Sequence, residues 1–225
     1  MRIFIFDMSN VRMNMTSRLA PGLLCLAALA ACSHRNDASQ ENFTTGMNAY
    51  LDRRGDLCLA KSNWPIDVTQ REIDAGARNA VQMPALEKLG LVTSTVASVE
   101  VKDEERSATI KVLRYDLTEA GRKYYLAKEM RSQASDGSVK TRPGDFCAAR
   151  LSLDKVVGWE PPRDVNGQQE TVVSFTYKIN PAPWVGDPGI QKVFPVVARM
   201  VQGAGTVQLQ EAFRLGPDGW VAKDL

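Results

Sequence analysis

The chain has 225 residues, 44% of them hydrophobic and 24% charged, with a formal net charge of +2; that length suffices for one or two domains with cores of their own. The small positive charge belongs to the start of the chain, where Arg2, Arg12 and Arg18 stand against Asp7; from residue 32 onward 25 basic side chains balance 25 acidic ones. That balance excludes a chain-wide electrostatic footprint for nucleic acid or anionic lipid.

Residues 13–18 bring one basic side chain, Arg18, and residues 19–31 are apolar or small and end in Leu29-Ala30-Ala31 before Cys32. A basic start, a short apolar run and small residues at a break are the three regions of a secretory signal. The run is shorter than the about 20 residues of a permanent membrane helix. Asp7 suits such a leader poorly, so translation is expected to begin at Met13 or Met15. Leu29-Ala30-Ala31-Cys32 resembles the lipobox of bacterial lipoproteins. That resemblance implies cleavage after residue 31, diacylglycerol on the Cys32 thiol and an acylated new amino terminus. It also implies a membrane partner reached through the lipid. Ser33 in place of an aspartate favours the outer membrane, on its periplasmic face.

Residues 32–43 are small and polar and read as a tether. A short helix capped by Thr44 is expected through Asp52, then a strand at Leu57-Cys58-Leu59-Ala60. Thr69 and Glu72 have capping-box spacing and open a helix to about Ala80. Pro84 suits the start of a second helix, 85–89, which Gly90 ends. Strands follow at Val96–Lys102, with Val99 and Val101 on one face, and at Ala108–Tyr115, where Ile110 and Val112 alternate; Asp103-Glu104-Glu105-Arg106 turns between them. Thr118 is expected to cap a helix that contains Tyr124, Tyr125 and Leu126. Residues 131–144 read as a linker or long loop.

Beyond that loop the pattern is mostly β. Residues 147–159 alternate through Leu151 and Leu153. Asn166-Gly167 signals a two-residue hairpin, and Val173, Phe175, Tyr177 and Ile179 alternate strictly. Asp187-Pro188 opens an apolar helix that Pro195 must kink or divide. Val207, Leu209, Phe213 and Leu215 form a strand, and Pro217-Asp218-Gly219 turns it into a last strand at Trp220-Val221. The expected fold is α+β, with an N-terminal lobe at 44–130 and a C-terminal antiparallel sheet at 145–225 packed by one kinked helix.

Of four cysteines, Cys25 leaves with the signal and Cys32 carries lipid, so Cys58 and Cys147 remain. Two cysteines in an oxidising compartment suggest one disulfide, stitching the two lobes together. Two buried thiols are the alternative.

Residues 83–125 contain Leu86-Glu87-Lys88-Leu89-Gly90-Leu91, a hairpin, and then Leu117-Thr118-Glu119-Ala120-Gly121. This resembles the winged-helix domains of bacterial regulators and implies their helix–turn–wing architecture. DNA binding would need basic side chains on the helix before Gly90 and on the wing. Here Lys88 sits beside Glu87, and the wing turn is mostly acidic, so no nucleic-acid partner is expected.

Catalytic patterns are equally sparse. The one histidine, His34, lies in the tether, so no Ser-His-Asp or Cys-His set is available to the folded part, and zinc lacks its commonest nitrogen ligand. No P-loop or dinucleotide fingerprint occurs, and no cofactor or metal is expected. Paired carboxylates for a hydrolase stay open, because such pairs assemble in space. Trp64, Trp159 and Trp184 each stand near proline at a strand end. Exposed together they would stack on sugar rings or grip a proline-containing peptide; buried, each would plug an end of the core. The expected function is a non-enzymatic accessory or binding module of the cell envelope, with an envelope protein or a glycan such as peptidoglycan as partner.

Overall fold

The computed structural model describes residues 35–103, 106–133 and 138–225. The signal, Cys32, His34, Glu104 and Glu105 lie outside the described residues.

Helix α1 spans Gln40–Arg54, with the Ser39 side chain accepting from the Asn42 amide at its start. It begins four residues before the expected Thr44, because Phe43, read as tether, is fully buried and Met47 and Leu51 follow it inward. Strand β1 (Asp56–Cys58) comes next, and β2 (Ile66–Thr69) ends on the expected capping box. The Thr69 hydroxyl accepts from the Glu72 amide, and the Glu72 carboxylate accepts from the Thr69 amide.

The helix opened there stops sooner than expected. Helix α2 covers only Gln70–Asp74, and α3 runs Arg78–Lys88 with Pro84 inside it. The break falls at Gly76, whose φ of +61° is left-handed backbone suited to glycine. Gly90 (φ +69°) ends α3 as its position predicted. Strands β3 (Val92–Asp103) and β4 (Arg106–Leu117) pair along their whole length, from Val92 opposite Leu117 to Asp103 opposite Arg106. Strand β2 adds to β4 between Val112 and Tyr115.

Thr118 does cap a helix, but α4 is the single turn Glu119–Arg122. Tyr125 and Leu126 form β5 instead of continuing it. Gly121 explains the tight packing there, since a Cβ on it would lie 1.9 Å from the Leu91 carbonyl oxygen. The expected linker also carries structure: β6 (Met130–Gln133) and β7 (Val139–Arg142) make a two-stranded hairpin.

Strand β8 (Asp145–Trp159) is the longest, and β9 (Arg163–Val165) turns into β10 (Gln168–Pro181). The turn is Asn166-Gly167, both left-handed at φ 54° and 80°, as a tight hairpin requires. A 3₁₀ turn, Pro183–Gly186, leads to the expected apolar helix, which Pro195 divides into α5 (Pro188–Val193) and α6 (Pro195–Gln202). Asp187 caps α5 by accepting from the Gly189 and Ile190 amides. Strands β11 (Leu209–Gly216) and β12 (Gly219–Ala222) close the chain; Val207 lies outside β11 and is exposed.

The fold is α+β. One antiparallel sheet runs β1-β8-β10-β11-β12, with β5 added to β8 and β9 to β10; a second runs β2-β4-β3, apart from the two-stranded β6–β7 hairpin. Two apolar clusters fill it. One gathers Leu59, Val68, Met83, Leu86, Tyr115, Phe146, Trp184 and Ile190. The other lies under α1 and gathers Phe43, Met47, Phe175, Tyr177, Phe213 and Trp220. Strand β8 serves both: Phe146 and Ala148 belong to the first, Leu151 and Val156 to the second.

Candidate functional site

Strand β8 positions an open groove. On one side it takes β1, with Cys58 directly opposite Cys147. These two cysteines form a disulfide with Cα atoms 3.8 Å apart. The bond was expected to stitch two lobes; it joins neighbouring strands of one sheet. Near the same end, β5 pairs with β8 at Phe146 and Asp145, while β10 leaves β8 at Pro181 opposite Ala149.

Between these departures lies an open groove of about 510 Å³, walled by Tyr124, Tyr125, Pro181 and Pro183, with Lys123 and Arg150 at its edges. The Tyr125 hydroxyl donates to the Ser62 carbonyl at 2.8 Å, which fixes its ring. Gly144 passes behind that ring, and a Cβ on it would come within 2.9 Å of the phenol oxygen. Tyr124 stands edge-on to Trp184 at 5.8 Å and tilted against Phe146 at 6.2 Å. Asp56 on the groove wall is held by Arg150 at 2.8 Å. The groove therefore offers aromatic and proline faces and the exposed Lys123 ammonium.

Behind the groove, Ala60 adopts φ +58° and turns the chain so that the Lys61 amide donates to Asp145 Oδ1 at 2.6 Å. The same oxygen accepts from the Phe146 amide at 2.8 Å. Both side chains are buried, Lys61 at 3% and Asp145 at 2% exposure. Burial, helped by the Arg78 charge and opposed by Asp145, lowers the Lys61 amine to about 8. A half-buried acid, Glu211, sits beside Tyr50 of α1. Burial raises the Glu211 carboxyl above the usual range; the Tyr50 hydroxyl bonded to it opposes that shift, and the Asp224 charge adds to it.

The three tryptophans are not brought together. Trp184 is buried in the first cluster, at 5.6 Å from Phe146, and its indole N–H has no hydrogen-bond partner among the described residues. Trp64 is half-buried beside the same phenylalanine at 6.3 Å, its N–H donating to the Lys61 carbonyl. Trp159 belongs to the other cluster, 5.0 Å from Phe43. No single surface presents all three for stacking.

One small groove does hold two acids, Glu160 and Glu170. Each is tied to its own cation, Glu160 to Arg163 at 2.6 Å and Glu170 to Lys223 at 2.7 Å. Among the described residues, no three metal-ligating side chains cluster, and no helix is long and apolar enough to cross a membrane.

Sequence reasoning did not find the groove, Lys61 or Asp145. The groove is composed of segments near 124, 148 and 182, and no local pattern links them. Compared with protein-family models, curated proteins and solved structures, the chain matches none.

Proposed function

We propose that the chain is a lipid-anchored protein of the bacterial envelope. Its folded part acts as a non-enzymatic accessory module that holds a polypeptide partner in the groove between Tyr124 and Pro181. The observation that carries the reading is the Cys58–Cys147 disulfide. Structural disulfides persist outside the reducing cytosol, and this one lies downstream of an apolar run ending in Leu29-Ala30-Ala31-Cys32. Acyl chains on Cys32 would hold the chain firmly, since each buried methylene contributes about 0.8 kcal/mol. The outer membrane, periplasmic face, is the proposed location.

The β2-to-α4 part is further read as winged-helix-like. Support comes from its element order, two helices between β2 and a hairpin whose second strand pairs with β2. Its use here is in packing and partner contact. Helix α3 has its two basic side chains, Arg78 and Lys88, at its opposite ends, and its Glu87 carboxylate accepts from the Ser94 amide at 2.7 Å. Glycan stacking has no comparable support, because the three tryptophans are separated.

Intact-mass spectrometry on protein from native membranes tests the anchor. The expected mass begins at Cys32 with acyl chains added, and reduction adds the two hydrogens of one opened disulfide. A lipid-free mass that still includes residues 1–31 would overturn the proposal. A photoreactive amino acid at Lys123 is expected to capture one envelope protein reproducibly; capture of none would remove the groove from the reading.

A further inference from the structure

Residues 35–38 are already pinned to the folded body. The Asp37 carbonyl accepts from the Trp220 indole N–H at 3.1 Å and from the Asn42 side-chain amide at 2.9 Å. Two residues earlier the Arg35 carbonyl lies against Gly219, where a Cβ would come within 3.0 Å of it. Ala38 packs on the core under α1. From Arg35 onward, the stretch expected to be a tether is therefore part of the body.

These contacts lie at one end of the main sheet. The Gln40 side-chain amide donates to the Val156 carbonyl at 2.9 Å, and past the far end of α1 the Gly55 carbonyl accepts from the Leu151 amide at 2.7 Å. Helix α1 thus runs along β8 from Val156 toward Arg150. The Asn166-Gly167 and Pro217-Asp218 turns stand at the Val156 end. There Val173 pairs with Trp159, Glu170 with Arg214 and Gly216 with Gly219, and the Gln168 side chain donates to the Leu215 carbonyl. The groove stands at the opposite end, walled by Asp56 just past α1, by Ala149 and by Pro181. The 15 residues of α1, at about 1.5 Å of rise each, set the two ends about 20 Å apart.

We propose that the end carrying Arg35 and these two turns rests on the lipid bilayer, held there by the short reach of chain from Cys32, so that the groove end is the end kept off the leaflet. This inference rests on the lipid anchor proposed above. Cys32 stands three residues before Arg35, and three residues of extended chain reach about 11 Å at most. With acyl chains on Cys32 buried in a leaflet, chain length alone keeps the Arg35 end at its surface. A long, loose tether would let the body turn any side to the membrane; a chain pinned at Arg35 and Asp37 does not. The charges of this end are mixed, Arg35 and Arg163 against Asp37, Asp164 and Asp218, all exposed. The end therefore gains no electrostatic attraction of its own to an anionic leaflet, and the anchor supplies the binding. Val165, at 43% exposure, and the exposed Pro217 are the apolar residues beside the two turns.

Protein purified from native membranes and reconstituted into phosphatidylcholine vesicles tests it, with intact mass read on the same sample. A fluorescent dye at Val165→Cys or Asp218→Cys should be quenched by nitroxide-bearing lipid at least about twofold more than the same dye at Lys123→Cys beside the groove, since the two ends differ in height by a large part of a bilayer core. Inserting about twenty Gly and Ser residues after Ser33, a flexible span of about 25 Å, should erase that difference while the acylated mass is kept. With acyl chains present, equal quenching at all three positions, or the strongest quenching at Lys123→Cys, overturns the orientation and leaves the anchor standing. So does a preference that survives the insertion, because a lipid-seeking surface and not the short reach would then hold the body. A mass without acyl chains removes the anchor itself, and the orientation falls with it.

Discussion

The core under α1 is assembled from long elements obeying one rule, whereas the core around Phe146 is assembled from short pieces that each need a separate device. Under α1, strict alternation along β10 buries Val173, Phe175 and Tyr177, and a fifteen-residue helix lies across the sheet with Phe43 inside a ring of Trp159, Phe213 and Trp220. Around Phe146 the contributors are mostly short, strands of three and four residues, two helices shorter than nine residues and a 3₁₀ turn, joined by the eleven-residue α3 and the root of the β3–β4 hairpin. Order is kept there by a capping box, by the Asp187 cap, by the Lys61 amide on Asp145 and by the disulfide. Periodic burial lets a region tolerate losing any one cap, while a patchwork depends on its joints.

Removing the joint should have the largest effect. Cys58 and Cys147 are separated by 89 residues, for which the chain-entropy model gives about 4–5 kcal/mol. The double change Cys58→Ala with Cys147→Ala is expected to lower Tm in calorimetry and to loosen the Phe146 region first, seen as faster amide exchange in residues 59–146. Equal loosening of both cores would erase the distinction drawn above.

Truncating the two central rings comes next. Phe146→Ala and Phe213→Ala, both at fully buried positions, should each cost about 3–5 kcal/mol. A single calorimetric transition in both variants would show that the cores unfold together; two transitions would separate them. Gly46→Ala should cost about 1–3 kcal/mol, because its Cβ would lie 2.5 Å from the Trp220 carbonyl oxygen and 2.8 Å from the Phe213 ring. The readout is the urea midpoint, and no change would show that α1 can ride outward freely.

The smallest effect is a pH dependence confined to the patchwork core. The folded Lys61 amine releases its proton near 8, whereas an unfolded lysine does so near about 10.4. Between these values the unfolded chain binds the extra proton, so stability rises with pH. Below the window both states are charged and the cost of the buried ammonium is present in full. Wild-type Tm minus that of Lys61→Met should climb by a few degrees across it; a flat difference would show that the amine reaches water.

Local chemistry was legible wherever one or two residues decide the backbone. Asn166-Gly167, Asp187-Pro188, Pro195 and the Thr69–Glu72 box each act where they stand in the sequence. Misreadings arose where distant contacts decide. Phe43 looks like tether until Trp159 and Trp220 are placed around it. Tyr125 has a helical setting, yet its hydroxyl is claimed by Ser62 and its backbone by β8. Pro84 marks a helix start by rule, but the left-handed Gly76 breaks the chain first. The alternation of Val99, Val101, Ile110 and Val112 was visible; that these residues form one row across the β3–β4 pair follows only from the register. The groove left no local trace.

The pairing of Cys58 with Cys147 also has a mechanical meaning. A pull applied at the amino-terminal end and resisted anywhere beyond residue 147 travels through α1 to Cys58. There it crosses the covalent bridge into the long strand β8. The 88 residues between the cysteines form a closed bypass that such a load does not stretch. The part of the patchwork core contributed by residues 59–146, with the β3–β4 hairpin, hangs beside the line of force and keeps its shape while the rest of the chain bears the tension.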